Sequence, residues 1–415
     1  MDYFNYKDGQ LYAEDIKVTD LTLRYGTPLY IYSRATLERH YKAFERALKA
    51  HNHLICYSVK SNSNLAVIAL MASLGSGFDV VSEGELRRVK AAGGDTHRVV
   101  FSGVGKTREE IAYALNERIR CINVESEEEL LVVSEEAKKA GVVAPVALRI
   151  NPDVDARTLP AISTGLRSNK FGIWREDALR LYKRIASDPN LKAAGLDCHI
   201  GSQMTSSVPI LEAADIMIDI YKELLSEGIK VDHIDLGGGL GVTYDEEQPP
   251  SPDDFFSGII EKFSDLDCEI YIEPGRAMVA NAGVLCCKVL YQKDNGSKHF
   301  VITDGSMSDL IRPALYGAHM TIENATLRKS DVLRKCDVVG PVCESDDFLG
   351  KDRMLAVRNS DILVVRGAGA YGSSMSSCYN SRRLCAEIMV SGDRANVVRR
   401  RQEFSQMWEN EALAD

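Results

Sequence analysis

The 415-residue sequence has no uninterrupted apolar run long enough to cross a bilayer, which excludes a helical membrane span. It has no excess of basic residues: 50 Lys and Arg stand against 60 Asp and Glu, a net charge of −10. That balance argues against nucleic acid or an anionic membrane as partner, since both want a basic footprint. The ten cysteines are scattered, with one adjacent pair at Cys286 and Cys287 and no C-x-x-C spacing, so neither a zinc site nor a disulfide framework is indicated. There is no internal repeat, low-complexity tract or long linker. The opening MDYFNYKDGQLYAEDIKV lacks the basic start and apolar centre of a signal peptide, and the expected location is the cytoplasm. What remains, 45% apolar and 27% charged residues, is the composition of a globular protein with length for one large domain or two.

Within those limits two patterns alternate. Short apolar runs are LICYSV from Leu54, GFDVV from Gly77, RVVFSG from Arg98, RCINV from Arg120, PVALRI from Pro145, LDCHI from Leu196, HIDL from His233 and EIYI from Glu269. Between them lie stretches with apolar residues at helical spacing, such as SEEELLVVSEEAKKAG. Strands alternating with helices indicate parallel pairing, and eight such units in roughly 230 residues are the size of a (β/α)8 barrel of the TIM type. An open doubly wound sheet is the alternative, but no dinucleotide fingerprint follows the first strand. Beyond about Gly283 the segments VLCCKVLYQ, HFVITD, DILVVRGAGAY and RLCAEIMVSG read as strands joined by short turns, a second, all-β domain. Residues 3–24 could add a strand to it. The expected fold is therefore α/β plus β, with the barrel over 28–280 and the β domain built from 1–27 and 281–415.

In such a barrel the strand ends converge on one mouth, where active sites of this fold sit. The first run leads to Lys60. A snorkelling strand-end lysine would look the same, but a lysine whose stem lies in apolar surroundings can lose its proton and act as a nucleophile. The loop DLGGGLG from Asp235 is either a tight turn or a row of unshielded N–H groups for an anion, and the loops after strands seven and eight are the usual phosphate site of barrels. The eighth run ends in EPGR, which places Glu273 and Arg276 beside that loop; the acid is a surface group or the partner of a protonated ring nitrogen. His199, near the end of the sixth run, is a structural histidine or a flat ring to stack on a cofactor. Metal ligation by His199, His233 and Glu273 is conceivable, but a phosphate-type loop and a lysine suit a metal site poorly. A nucleophilic lysine, a phosphate cradle, a ring-nitrogen acid and a stacking ring are the parts list for pyridoxal phosphate.

The motifs YSVKSN, GFDVVSEGEL, LRINPDVDARTLPAISTGLRSNKFGI, HIGSQ, DLGGGLG, IEPGR, SDLIRPALY, GPVCESDD and GAYGSSMSSCYN follow one another over nearly the whole chain. In that order they resemble the diaminopimelate decarboxylases, within the alanine-racemase-like, fold type III class of pyridoxal phosphate enzymes. Departures are small: Ser61 for a usual alanine, Leu159 for a common histidine, and DGSMSD for a more usual DAGMND. The resemblance implies decarboxylation of meso-2,6-diaminopimelate to L-lysine, the last step of lysine biosynthesis, with pyridoxal 5'-phosphate as cofactor. It implies that Lys60 carries the cofactor as an imine and that His199 stacks on its ring, with Ser202 nearby. Gly238, Gly239, Gly275 and Arg276 would hold the phosphate, Glu273 would meet the ring nitrogen, and Tyr371 would reach both phosphate and substrate.

It further implies that Arg276 and Arg312, with Tyr316, grip the retained carboxylate, that Glu344 binds the distal ammonium, and that Cys343 returns a proton to the substrate carbanion. Family members are homodimers in which the Cys343 loop serves the partner's site, so Cys343 and Glu344 are expected to act across an interface; no metal is expected. A decarboxylase of ornithine, arginine or D-lysine would share the cofactor motifs, but Arg312, Tyr316 and Glu344 together argue against it. Glu273 disfavours a racemase, and the presence of Lys60 and Cys343 disfavours a non-catalytic cofactor-binding protein.

Overall fold

A computed structural model describes residues 2–156, 158, 164–165, 169–328 and 332–414. The chain forms two compact units, one of His40–Val242 with Gln248–Ala277, the other of Met1–Arg39, Thr243–Glu247 and Met278–Asp415.

The first unit is the barrel. Eight parallel strands, His53–Ser58, Gly77–Val80, Val99–Phe101, Cys121–Val124, Ala144–Asn151, Leu191–Asp197, His233–Asp235 and Glu269–Ile272, pair in chain order, and the eighth closes on the first through Tyr271 and Leu54. A two-residue strand, Ile173–Trp174, pairs with the end of the fifth. Helices between them carry their own start and stop signals. Glu127–Ala140 is typical: Ser126 caps it by accepting the Glu129 N–H at 3.1 Å, three glutamates meet the positive end of the helix dipole, and Gly141 ends it at φ +67°.

Side chains alternate across a strand, so every second residue enters the barrel. Small and apolar groups meet there first, Leu54, Cys56, Val100, Cys121, Ala147 and Ala194 around Tyr271. On the seventh strand the same parity brings in His233, whose ring stacks on Tyr271 with centroids 4.0 Å apart. Burial pushes that imidazole down to about 3, so it stays neutral. Two residues further along, the same parity reaches Ser58, Asn123, Arg149, Asp235 and Glu273, and the interior turns from apolar to ionisable at the strand ends.

The second unit is β-rich. A nine-stranded sheet is organised on the long strand Gly283–Asn295, whose first half pairs with Leu29–Ser33 and Ile362–Val365 and whose second half pairs with Lys298–Thr303. Residues Phe4–Lys7, Gln10–Ala13 and Ile16–Lys17 make a separate three-stranded sheet instead of adding to the large one. That small sheet and the helix Val18–Tyr25 pack on it through Phe4, Leu11, Leu21, Ile31 and Val284. One sequence expectation is corrected at the domain boundary. Leu29–Ser33, assigned to the barrel side of the boundary at 28, is a strand of the β unit, fully buried between an antiparallel and a parallel partner. Within the SDLIRPALY segment, Arg312–Tyr316 forms a short helix with Pro313 in its first turn and Gly317 behind it.

The stacked pair inside the barrel leaves no room at Gly195, where a Cβ would lie 2.2 Å from His233 Nε2. Gly195→Ala is therefore expected to lose about 2 kcal/mol of stability by overpacking, read as a lower urea midpoint with an unchanged slope. An unchanged midpoint would show that the His233–Tyr271 stack yields easily.

Candidate active site

The barrel mouth is built from strand-end residues. Lys60 sits in a single 3-10 turn, Val59–Ser61, directly after the first strand, and its Nζ donates to Asp79 Oδ2 at 2.7 Å. The Lys60 side chain is 34% exposed and the Asp79 side chain not at all. Ser58 Oγ lies 2.8 Å from the same Asp79 oxygen and 2.9 Å from the Glu273 carbonyl, tying strands one, two and eight together. A second lysine near the strand ends, Lys106, spends its three donors on the Gly103 and Asn123 carbonyls and on Glu129. Lys60, by contrast, remains partly exposed at the end of its strand.

Beneath it lies an excess of acid. Asp79, Glu125, Asp197, Asp235 and Glu273 are each at most 6% exposed. Arg149 pairs with Glu125 at 2.7 Å, and oxygens of Asp197, Asp235 and Glu273 lie within 4.8 Å of one another. Burial and then mutual repulsion raise the three: Asp197 reaches about 7 despite Arg149, Asp235 is pushed well above the carboxylate range by burial and Asp197, and Glu273 by burial, Asp79 and Asp235. One oxygen each of Asp79, Asp197 and Asp235 has no hydrogen-bond partner. The trio weighed from sequence as a metal site, His199, His233 and Glu273, does not converge among the described residues, because His233 is stacked on Tyr271 deeper in the barrel.

Against this acid stands a wall of bare backbone. Gly237 and Gly239 adopt φ +68° and +119°, and a Cβ at Gly238 would lie 2.3 Å from the Glu273 carbonyl oxygen. At Gly275 a Cβ would touch Ser58 and Ser61 at 3.1 Å. The Gly238 N–H donates to His199 Nδ1 at 3.1 Å, which leaves the proton of the neutral ring on Nε2. Burial, Arg149 and Lys60 hold that imidazole well below its ordinary value, so it presents a flat, uncharged face. Arg276 opens a short helix, Arg276–Val279, and its Nε donates to Ser202 Oγ at 3.1 Å. Ser61, a departure from the family pattern, is buried and donates to the Ser58 carbonyl at 2.8 Å.

With the site's geometry in place, the comparisons with known proteins decide the family. Residues 34–280 match the model of the pyridoxal-dependent decarboxylase, pyridoxal binding domain. Over 98% of its length the chain is 53% identical to diaminopimelate decarboxylase of Haemophilus influenzae, covering 99% of that protein. The chain belongs to the diaminopimelate decarboxylase family. The Vibrio cholerae member is 52% identical over the whole chain and 99% of its own length. Among solved structures, diaminopimelate decarboxylase from Helicobacter pylori complexed with L-lysine superposes with a TM-score of 0.92 at 41% identity over 95% of this chain and 98% of that one. The M. jannaschii enzyme gives 0.95 at 35% identity over 99% and 98%.

A family cofactor of this kind fits the barrel residues on their own evidence: a loop of glycine backbone packed too closely to admit side chains, a buried acid at Glu273, and a partly exposed lysine at the strand end. The barrel thus brings together Lys60, His199, Ser202, Gly238, Gly239, Glu273, Gly275 and Arg276. The other predicted residues belong to the β unit. The Arg312 guanidinium is buried 4.5 Å over the Tyr244 ring, with Met320 Sδ at 3.3 Å. Tyr316 ends the same short helix, and Tyr371 adopts φ +54°. Cys343 and Glu344 are exposed neighbours in one turn. Leu159 lies outside the described residues.

Sequence reasoning passed over Asp79, Asp197, Asp235, Glu125 and Arg149. The available signal was parity: each is an ionisable residue at an inward position at or next to the end of an apolar strand.

The acid excess has a consequence for the cofactor-free protein. Asp197 ionises at about 7 when folded and in the ordinary carboxylate range when unfolded, so its contribution is present at low pH and is lost as pH rises through 7. Asp197→Asn is expected to flatten this loss and to gain on the order of 2 kcal/mol over the parent at pH 8.5, a difference that shrinks steadily below pH 7 and vanishes below about pH 4, in urea titrations of the cofactor-free protein. A variant equally destabilised at both pH values would show an ionised Asp197 bound by Arg149.

Proposed function

We propose that the protein removes carbon dioxide from meso-2,6-diaminopimelate and releases L-lysine, using pyridoxal phosphate held at the barrel mouth. The observation that carries this is a partly exposed Lys60 at 2.7 Å from a buried carboxylate, with a close-packed glycine loop and the acid Glu273 in the same barrel, in a chain at least half identical over its length to diaminopimelate decarboxylases. When bound, the cofactor supplies the electron sink for the pair left on the substrate carbon as carbon dioxide departs.

The chain's own residues do the rest. Lys60 would hold the cofactor covalently, with Asp79 keeping that nitrogen in place by the hydrogen bond it accepts. The N–H groups around Gly238, Gly239 and Gly275, with Arg276 and Ser202, would bind the phosphate. The neutral face of His199 would pack on the ring. Glu273 would meet the ring nitrogen, whose positive charge is what the buried acids lack. Arg276, Arg312 and Tyr316 would grip the carboxylate that must stay, a task suited to the guanidinium fork, with Tyr371 beside them. Glu344 would bind the distal ammonium and Cys343 Sγ would return a proton to the carbon.

This reading places the working form as a homodimer, with Cys343 and Glu344 serving the site of the other subunit, and its location as the cytoplasm. Ten free thiols, eight of them buried, suit a reducing compartment, and no described helix is long and apolar enough to cross a membrane.

The cofactor-loaded protein is expected to release carbon dioxide from meso-diaminopimelate and not from L-ornithine, L-arginine or D-lysine, with lysine as the product. A preference for one of the other three would leave the cofactor site standing and overturn the substrate. The shared site has its own test. Lys60→Ala and Cys343→Ala proteins, each inactive, are expected to recover about a quarter of parent activity when mixed, since half the dimers are hybrids with one intact site each. No recovery after demonstrated subunit exchange would place Cys343 in its own chain's site.

A further inference from the structure

Cys343 and Glu344 lie in the turn between strands Arg334–Val339 and Phe348–Leu355 of the β unit. The base of that turn is fixed from within. The buried Asp347 carboxylate accepts the N–H groups of Met307 at 2.6 Å and Val342 at 2.7 Å, and Gly340 donates to the Asp347 carbonyl at 3.1 Å. A Cβ at Gly340 would sit 2.4 Å from the same carboxylate, so the chain must be glycine there. The tip is held from elsewhere. Asn380 Oδ1 accepts the Cys343 N–H at 2.9 Å, and the hydroxyl of the preceding residue, Tyr379, donates to the Glu344 carboxylate.

Two adjacent residues therefore hold two adjacent residues, one through the backbone and the other through its side chain. The holding segment is itself pinned on both sides, by the Ser377 N–H on the Ser308 carbonyl at 2.9 Å and by Arg382 on the Asp304 carbonyl at 2.6 Å. Between the pins, Asn380 and Ser381 adopt φ +55° and +52°, a left-handed conformation that asparagine tolerates and serine does not favour. An exposed turn with no such fixture would let the thiol and the carboxylate swing independently.

We propose that Tyr379 and Asn380 are positioning residues for the decarboxylation, Tyr379 fixing the Glu344 carboxylate for the distal ammonium and Asn380 fixing the backbone from which the Cys343 thiol reaches the substrate carbon. The proposal rests on the roles given to Cys343 and Glu344 above. In the step it serves, the S–H bond of Cys343 breaks as the C–H bond forms, and the thiolate recovers its proton from solvent. Because the two holds act through different atoms, their losses separate. Tyr379 acts on recognition and Asn380 on the chemical step.

The test compares steady-state kinetics with calorimetric affinity for L-lysine in the cofactor-loaded protein. Tyr379→Phe is expected to raise KM roughly tenfold with kcat kept, and to weaken L-lysine by a similar factor. Asn380→Leu is expected to lower kcat roughly tenfold with KM and lysine affinity held, and Asn380→Asp, which retains the acceptor oxygen, to restore most of it. Cys343→Ser and Glu344→Gln are the controls. If the controls are impaired while Tyr379→Phe and Asn380→Leu keep parent KM, kcat and lysine affinity, the clamp is overturned alone. A common loss in both variants that follows a lower Tm, with no rescue by Asn380→Asp, also overturns it. A control with parent kinetics removes the role being served and overturns the underlying reading with it.

Discussion

Among the described residues the barrel mouth buries more acid than cation, and the remainder of the site answers that constraint. Five carboxyl groups that water hardly reaches face the Arg149 guanidinium and the partly exposed Lys60 ammonium, while the buried Lys106 is committed to Glu129. An unpaired buried carboxylate costs several kcal/mol even after relaxation, so the cluster either takes up protons or draws in positive charge. The upward displacement of Asp197, Asp235 and Glu273 is the first response. A ligand with a protonated ring nitrogen supplies the second. On this account the acids under Glu273 make the site receptive to a cationic ring, and Lys60 is held at the opening by the same charge.

The glycine side of the mouth works by the opposite device. There the chain removes side chains altogether: at Gly237, Gly238 and Gly239 a Cβ would run into His199, the Glu273 carbonyl or Met204. The glycine loop and the eighth strand are thereby locked backbone to backbone, with the Glu273 N–H on the Gly237 carbonyl at 2.8 Å. Buried acid on one side of the mouth and close-packed glycine backbone on the other set the geometry of the site before any ligand enters. The family's covalent chemistry needs such pre-set geometry, since a displaced reacting atom is costly even when every group is present.

Much of this was legible in the sequence, and the parts that were not share causes. Lys60, His199 and Glu273 stand out because each breaks an apolar run with a chemically specific residue just where the fold converges. Asp79, Asp197 and Asp235 lie at the same depth but read as ordinary polar ends of short strands, and only the inward parity separates them from surface acids. The sixth strand starts at Leu191, five residues before the run at Leu196, because Ala193, Ala194 and Gly195 carry little strand signal yet are the small residues a barrel interior requires. Phe348–Leu355 was missed since Lys351, Asp352 and Arg353 interrupt its apolar residues on an outer strand of the sheet. Leu29–Ser33 was placed on the barrel side because its partners, Gly283–Cys286 and Ala386–Val390, are some 250 residues or more away in sequence. Tyr379 and Asn380 close the GAYGSSMSSCYN motif, but nothing in the motif says what they hold, because the clamp depends on a left-handed turn meeting a distant loop.

The most direct test of the central claim is to reduce the pyridoxal-phosphate-loaded protein with borohydride and map the labelled peptide by mass spectrometry. The account predicts one pyridoxyl group, on Lys60, with negligible label in a Lys60→Ala protein. Label at Lys106 or on an exposed lysine would contradict it, because the buried acids would then be serving some other end than the lysine at their opening.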